Sequence, residues 1–155
     1  MAHHISAVIL RGKFDQENAT AFGHQPIQLF ETLTLFPLHA TYVDSMTEKL
    51  AIQDQFLGGP LLNCTTVHHL MNTIAVEPLF AIIETNYFGG NGSQSAVVYR
   101  GKLEIMAAER DVEGSINRAL KQLGVKRTLL HDEFDTIGLG NYRYFDDIFF
   151  LCPQG

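Results

Sequence analysis

The chain has 155 residues, 46% of them apolar and 18% charged, and a formal net charge of −6. A chain of this length buries roughly 70% of its unfolded surface, so it needs no disulfide framework and no metal to fold. The apolar content excludes disorder. No apolar run approaches the ~20 residues that span a bilayer. The excess of acid disfavours long nucleic acid and anionic membranes, whose attraction runs through Lys and Arg.

The opening Met-Ala-His-His-Ile-Ser has no basic start and no long apolar stretch, so a secretory signal is not expected. Two cysteines, Cys64 and Cys152, do not make a disulfide framework, and a cytoplasmic chain with free thiols is the economical expectation. With no repeat, low-complexity tract or Pro/Ser-rich linker, residues 1–155 are expected to form one domain.

His4–Phe14 reads as a strand with apolar residues on both faces, which suits a central position in a sheet. Asp15–Phe22 reads as a short helix capped by Asp15, with Gly23 past its end. Pro26–Leu38 reads as extended, because Ile27, Leu29, Leu33 and Leu35 share a period of two. Tyr42–Phe56 reads as a helix with Val43, Met46, Leu50 and Leu57 near one stripe, stopped by Gly58-Gly59-Pro60. Cys64–Ala75 is a second helix: Val67, Leu70, Met71 and Ile74 recur at helical spacing, and Asn63 is the expected cap.

Leu79–Glu84 and Ser95–Arg100 are rich in β-formers and flank a glycine-rich stretch, which predicts a hairpin with a long tip. Lys102–Met106 is expected to extend the second strand past a bulge at Gly101. Ser115–Leu123 reads as a helix with Ile116, Ala119, Leu120 and Leu123 on one stripe, Ser115 as cap and Gly124 beyond. Asp132–Ile137 is expected to form a last short helix. The aromatic Tyr142–Leu151 is expected to dock as a strand or a buried plug. Together these predict an α+β fold: a mostly antiparallel sheet with three or four helices packed on one face.

The hairpin tip is the first place where recognition can sit. Gly89, Gly90 and Gly92 permit positive φ, and Gly90-Asn91-Gly92 offers successive N–H groups that can hold an anion or a carbonyl. Glu84 and Gln94 flank the tip and can read a polar group, while Tyr87 and Phe88 supply aromatic surface. The plainer reading is a wide loop in which glycine serves geometry alone. The G-x-G spacing here joins strand to strand, so it is not a dinucleotide fingerprint, and no G-K-[ST] is present. No cofactor is therefore expected.

Cys64 and His68 stand four residues apart on a predicted helix and can form half a metal site or a thiolate–imidazole pair. A buried structural cysteine explains Cys64 as well, and no metal site is assigned. His131-Asp132-Glu133-Phe134-Asp135 can bind a divalent ion or act in acid–base catalysis, although a helix start explains Asp132 and Glu133. His3 has the spacing for amino-terminal copper or nickel chelation and equally that of a plain surface terminus. Lys121, Lys126, Arg127 and Arg143 are too scattered along the sequence for a nucleic-acid footprint.

The run Glu84-Thr85-Asn86-Tyr87-Phe88-Gly89-Gly90-Asn91-Gly92-Ser93-Gln94 resembles a pattern in short bacterial proteins of unknown function. In them a buried strand ends in an acidic residue and an aromatic-Gly-Gly turn, with Gln a few residues on. The opening His4-Ile5-Ser6-Ala7-Val8-Ile9-Leu10-Arg11-Gly12-Lys13-Phe14-Asp15 is similar too. The resemblance implies an accessory or antidote-like bacterial protein and no particular activity.

Three functional expectations follow. The first is a small soluble binding protein, inhibitor- or immunity-like, that engages a protein partner through an acidic surface and the Gly/aromatic hairpin. The second is a small-ligand protein or enzyme with a pocket under the hairpin, using Glu84 or His131 as base. The third is a homo-oligomeric subunit joined through the C-terminal aromatics.

Overall fold

The computed structural model describes residues 5–23, 26–29, 32–52, 64–88, 91–111 and 114–126. The expected helix at 132–137 and the expected docking segment at 142–151 lie outside the described residues, as do Leu57, Gly58-Gly59-Pro60, Asn63, Arg127 and Cys152.

Among the described residues six strands form one antiparallel sheet: β1 (Ser6–Arg11), β2 (Ile27–Gln28), β3 (Leu33–Pro37), β4 (Leu79–Phe88), β5 (Asn91–Arg100) and β6 (Leu103–Asp111), in the order β2-β3-β1-β4-β5-β6. Four described helices accompany it: α1 (Gln16–Ala21), α2 (Ala40–Lys49), α3 (Thr65–Ile74) and α4 (Ser115–Gln122). The fold is α+β with an antiparallel sheet, as the sequence predicts. Among the described residues no helix is long and apolar enough to cross a membrane.

β1 is central because both of its faces are apolar. Side chains alternate across a strand, so Val8 and Leu10 join one core while Ala7 and Ile9 join another. The first core lies between the sheet and α1–α3, with Phe36, Phe80, Ile82 and Val97 meeting Ala19, Val43, Met46, Leu70 and Met71. The second lies between the opposite face and α4, where Ala81, Ile83, Ala96 and Val98 meet Ile116, Ala119 and Leu120. Three helices thus share one face, and the fourth takes the other.

Local chemistry sets the element ends. Asp15 caps α1, its Oδ1 accepting from the Asn18 N–H at 3.1 Å. The Pro26–Leu38 stretch divides into β2 and β3, which fold back with Ile27 opposite Leu35 and Gln28 opposite Thr34. Its period of two survives the fold-back: Ile27, Leu29, Leu33 and Leu35 all face the second core. α2 starts at a His39 cap, whose Nδ1 accepts from the Thr41 N–H at 3.1 Å. It stops at Lys49, well short of the expected Phe56. The stop is a helix-terminating turn: Ile52 N–H donates to Thr47 O at 3.0 Å and Ala51 N–H to Glu48 O at 3.1 Å, with Ala51 at φ 52°.

α3 is capped by Cys64 and not by Asn63; the Cys64 backbone takes the cap position without a side-chain cap bond. α2 and α3 are joined by a buried hydroxyl pair, Thr47 with Thr66, and Thr47 Oγ1 also bonds Val43 O at 2.8 Å. Tyr42 Oη donates to Phe22 O at 2.7 Å, tying α2 to the end of α1. Burial pushes the Tyr42 phenol well above its ordinary value, so it remains a donor throughout the neutral range.

The β5–β6 connection corrects a second expectation. Gly101, at φ 62°, is not a bulge inside a long strand but lies in a tight turn, with Arg100 opposite Leu103. β6 is a separate strand, at the edge of the sheet among the described residues. Its register against β5 shifts between Ala96 and Val98 and again between Val98 and Tyr99, the kind of irregularity that keeps an edge from templating further pairing.

Candidate functional site

The β4–β5 hairpin has a shorter tip than its sequence suggests. Pairing does not end at Glu84 and Ser95 but continues through Thr85↔Gln94, Asn86↔Ser93 and Tyr87↔Gly92 to Phe88↔Asn91. Only residues 89–90 intervene, and Gly89 and Gly90 lie outside the described residues. Asn91 and Gly92, which were expected in an anion-holding nest, are ladder residues of β5.

Gly92 has a geometric reason to be glycine. A Cβ there would stand 1.9 Å from the Asn86 carbonyl oxygen and 2.7 Å from the Tyr87 Cα, at a φ of 148°. No side chain fits such an approach of two strands, so geometry by itself requires glycine at this position.

The partners of β4 and β5 run out before the hairpin does. On one side β1 reaches only Ser6 opposite Glu84, with Ile5 N–H bonded to Thr85 Oγ1 at 3.0 Å just beyond. On the other side β6 ends with Asp111 opposite Gln94. Residues 86–88 and 91–93 therefore pair only with each other among the described strands and form a two-stranded ribbon past the end of the sheet. Asn86 and Gly92 are exposed, and Tyr87 and Ser93 are half-buried. Phe88 closes the described ladder opposite Asn91.

Gln94 sits at the root of the ribbon and faces the fold. It is 9% exposed. Its Oε1 accepts from the Ile116 N–H at 2.8 Å and from Ser115 Oγ at 3.3 Å, and its Nε2 donates to Tyr87 Oη at 2.8 Å. One amide thereby joins the ribbon to the first turn of α4. A helix leaves its first N–H groups without intrahelical partners, and here β-strand side chains supply them. Asp111 Oδ1 accepts from the Ser115 N–H at 3.2 Å. The cap residue is Gly114, at φ 103°, and not Ser115, which stands one position inside the helix.

Arg118 extends this network. Its Nε lies 2.7 Å from Glu109 Oε2, and its Nη2 pairs with Asp111 Oδ2. Burial works against the charged form of Asp111, but the bonds from Arg118 and Ser115 outweigh it and hold the carboxyl below the usual carboxylate range. The described charges near the ribbon are thus Glu84, Glu109 and Asp111 against Arg110 and Arg118. Arg110 Nε donates to Ser93 Oγ at 3.2 Å. Glu84 is half-buried opposite Ser6 and Ser95, on the face covered by α1–α3.

The expected Cys64–His68 pair is close in the chain but engaged in packing. Cys64 is buried at the start of α3, and the His68 ring tilts against Tyr99 at 4.2 Å, with Phe80 at 6.0 Å. His69 is exposed. Tyr99 Oη donates to Glu104 Oε2 at 3.2 Å; burial first, and that carboxylate second, push its phenol upward. Among the described residues no group of three or more His, Cys, Asp or Glu side chains is arranged to hold a metal ion. His131, Asp132, Glu133, Asp135 and His3 lie outside the described residues.

Sequence reasoning missed the Gln94–Tyr87–α4 link, although one signal was present. If only Gly89-Gly90 separates the strands, the register places Gln94 opposite Thr85 and diagonal to Tyr87 on one face.

Compared with family models, with curated proteins and with solved structures, the chain matches none.

Proposed function

We propose that the chain is a small binding protein, of the inhibitor or immunity kind, that engages a protein partner through the β4–β5 ribbon. The observation that carries this reading is the run of residues 86–88 and 91–93 past the last partners of β1 and β6. A ribbon held at its root presents backbone and side chains together, and little ordering is left to be done on binding. Tyr87 and Phe88 are the proposed anchors and Glu84 a polar contact. Gln94 acts from behind, by fixing Tyr87 and the start of α4. The net charge of −6 favours encounter with a basic partner.

The test is affinity capture from an extract of the source cells, comparing the wild type with Asn86→Arg and Phe88→Ala. One protein held by the wild type, released by both ribbon variants and kept by Lys49→Glu on α2 supports the reading. Equal retention by the ribbon variants, or retention of nothing by the wild type, overturns it.

A further inference from the structure

Four cations from three separate stretches of the sequence lie at the end of the sheet opposite the ribbon. The register sets Arg11 opposite Leu79 and Leu79 opposite Arg100, so the two arginines stand two strand spacings apart, about 10 Å at the backbone. Both continue the alternation of the face covered by α4, Arg11 after Ile9 and Arg100 after Val98. Arg11 Nη1 donates to Leu123 O at 2.6 Å, which brings the end of α4 to it and Lys126 three residues on. Lys102 occupies the turn after Arg100. All four side chains belong to exposed residues. Among the described residues the carboxylates at this end are Glu77 and Glu104, and Glu104 accepts from Tyr99 Oη.

The same end carries Val76 and Leu103, which are 69% and 65% exposed and are the exposed large hydrophobic residues among those described. Leu103 stands opposite Arg100. Val76 is held here by its N–H bond to Lys13 O at 3.0 Å, and the Gly101 N–H bond to Pro78 O at 2.6 Å closes its segment onto the β5–β6 turn.

Cations interleaved with exposed apolar side chains suit a partner that brings both carboxylates and apolar groups. We propose that this end of the sheet docks an acidic polypeptide segment, presented by a partner protein, with apolar residues among its carboxylates. A polyphosphate strand would leave Val76 and Leu103 unmatched. A peptide covers the apolar residues while Arg11, Arg100, Lys102 and Lys126 fix its register. This surface is separate from the ribbon, and variants at one end leave the other intact.

The test is fluorescence anisotropy with a labelled short peptide of alternating Asp and Leu, beside a labelled single-stranded oligothymidine. The expected result is saturable binding of the peptide by the full chain, weakening as salt rises. Arg100→Glu with Lys102→Glu weakens it by about tenfold or more, Leu103→Ser weakens it by several-fold, and Lys49→Glu leaves it unchanged. Melting temperatures establish that the variants are folded, and the exposure of the positions predicts little change in them. Absence of saturable peptide binding, undiminished binding by the charge-reversed variant, or equal or tighter binding of oligothymidine overturns the proposal.

Discussion

Gln94 does the work of two local devices. A helix beginning Gly114-Ser115 has no side-chain cap bond of its own, and among the described residues the ribbon running past its neighbours has no third strand to hold it. The Gln94 amide meets both needs, accepting from Ile116 and Ser115 and donating to Tyr87. Gln94→Leu keeps the bulk and removes the amide, which leaves the buried Ile116 N–H without that acceptor. The expected loss is about 1–3 kcal/mol in urea unfolding, and a loss below a few tenths would show that the network is incidental. The residue was legible in the sequence as a polar flank of the hairpin; its direction was not. A side chain faces the core or the solvent according to register, and one residue of slip reverses it. The long tip expected from the glycines concealed that register.

At the scale of elements, periodicity identified what burial drives. Val67, Leu70, Met71 and Ile74 on α3, and Ile116, Ala119, Leu120 and Leu123 on α4, are buried as their spacing predicts. Ends were less legible, because hydrogen bonds from distant residues can replace the local caps that sequence rules recognise. The end of α2 shows a related case: its terminating turn requires a left-handed residue, and Ala51 carries no glycine signal. That conformation costs a non-glycine residue about 1 kcal/mol or more. Ala51→Gly is therefore expected to stabilise the fold by about 0.5–1 kcal/mol, part of the gain being offset by the freer unfolded chain. The urea midpoint should rise with an unchanged slope; a lower midpoint would contradict the turn.

The start of α4 also makes a pH prediction. The Asp111 carboxyl is held below its ordinary value, so its ionised form is preferred by the folded state. Its contribution is complete above the unfolded value of about 3.9 and is lost as pH falls through the lower folded value. Asp111→Asn keeps an acceptor for the Ser115 N–H and removes the charge that meets Arg118. The stability gap between wild type and Asp111→Asn is expected to be largest near neutrality and to narrow below pH ~4. A gap that stays constant across that range would show that the charge has no part in the cap.

For the molecule as a whole, the two apolar faces of β1 announced a central strand, and strands at the start and middle with helices between and after announced the α+β class. The distribution of helices between the faces was less legible, since an amphipathic helix such as α4 records that it is covered without recording which side of the sheet covers it. Charge was the least legible property. Arg11, Arg100, Lys102 and Lys126 come from three separate stretches of the chain, and the strand order and the Arg11–Leu123 bond bring them to one end. The molecule thus has two dissimilar ends, a paired ribbon beyond the sheet and a basic, partly apolar edge.

In the proposed function the ribbon is the surface that meets the partner. The most direct measurement is amide hydrogen exchange on the full chain, alone and with the captured partner. Protection is expected to be gained at residues 86–88 and 91–93, while the strand centres around Ile82 and Val97 exchange at the same slow rate in both states. Protection gained elsewhere, with the ribbon amides unchanged by saturating partner, would contradict it.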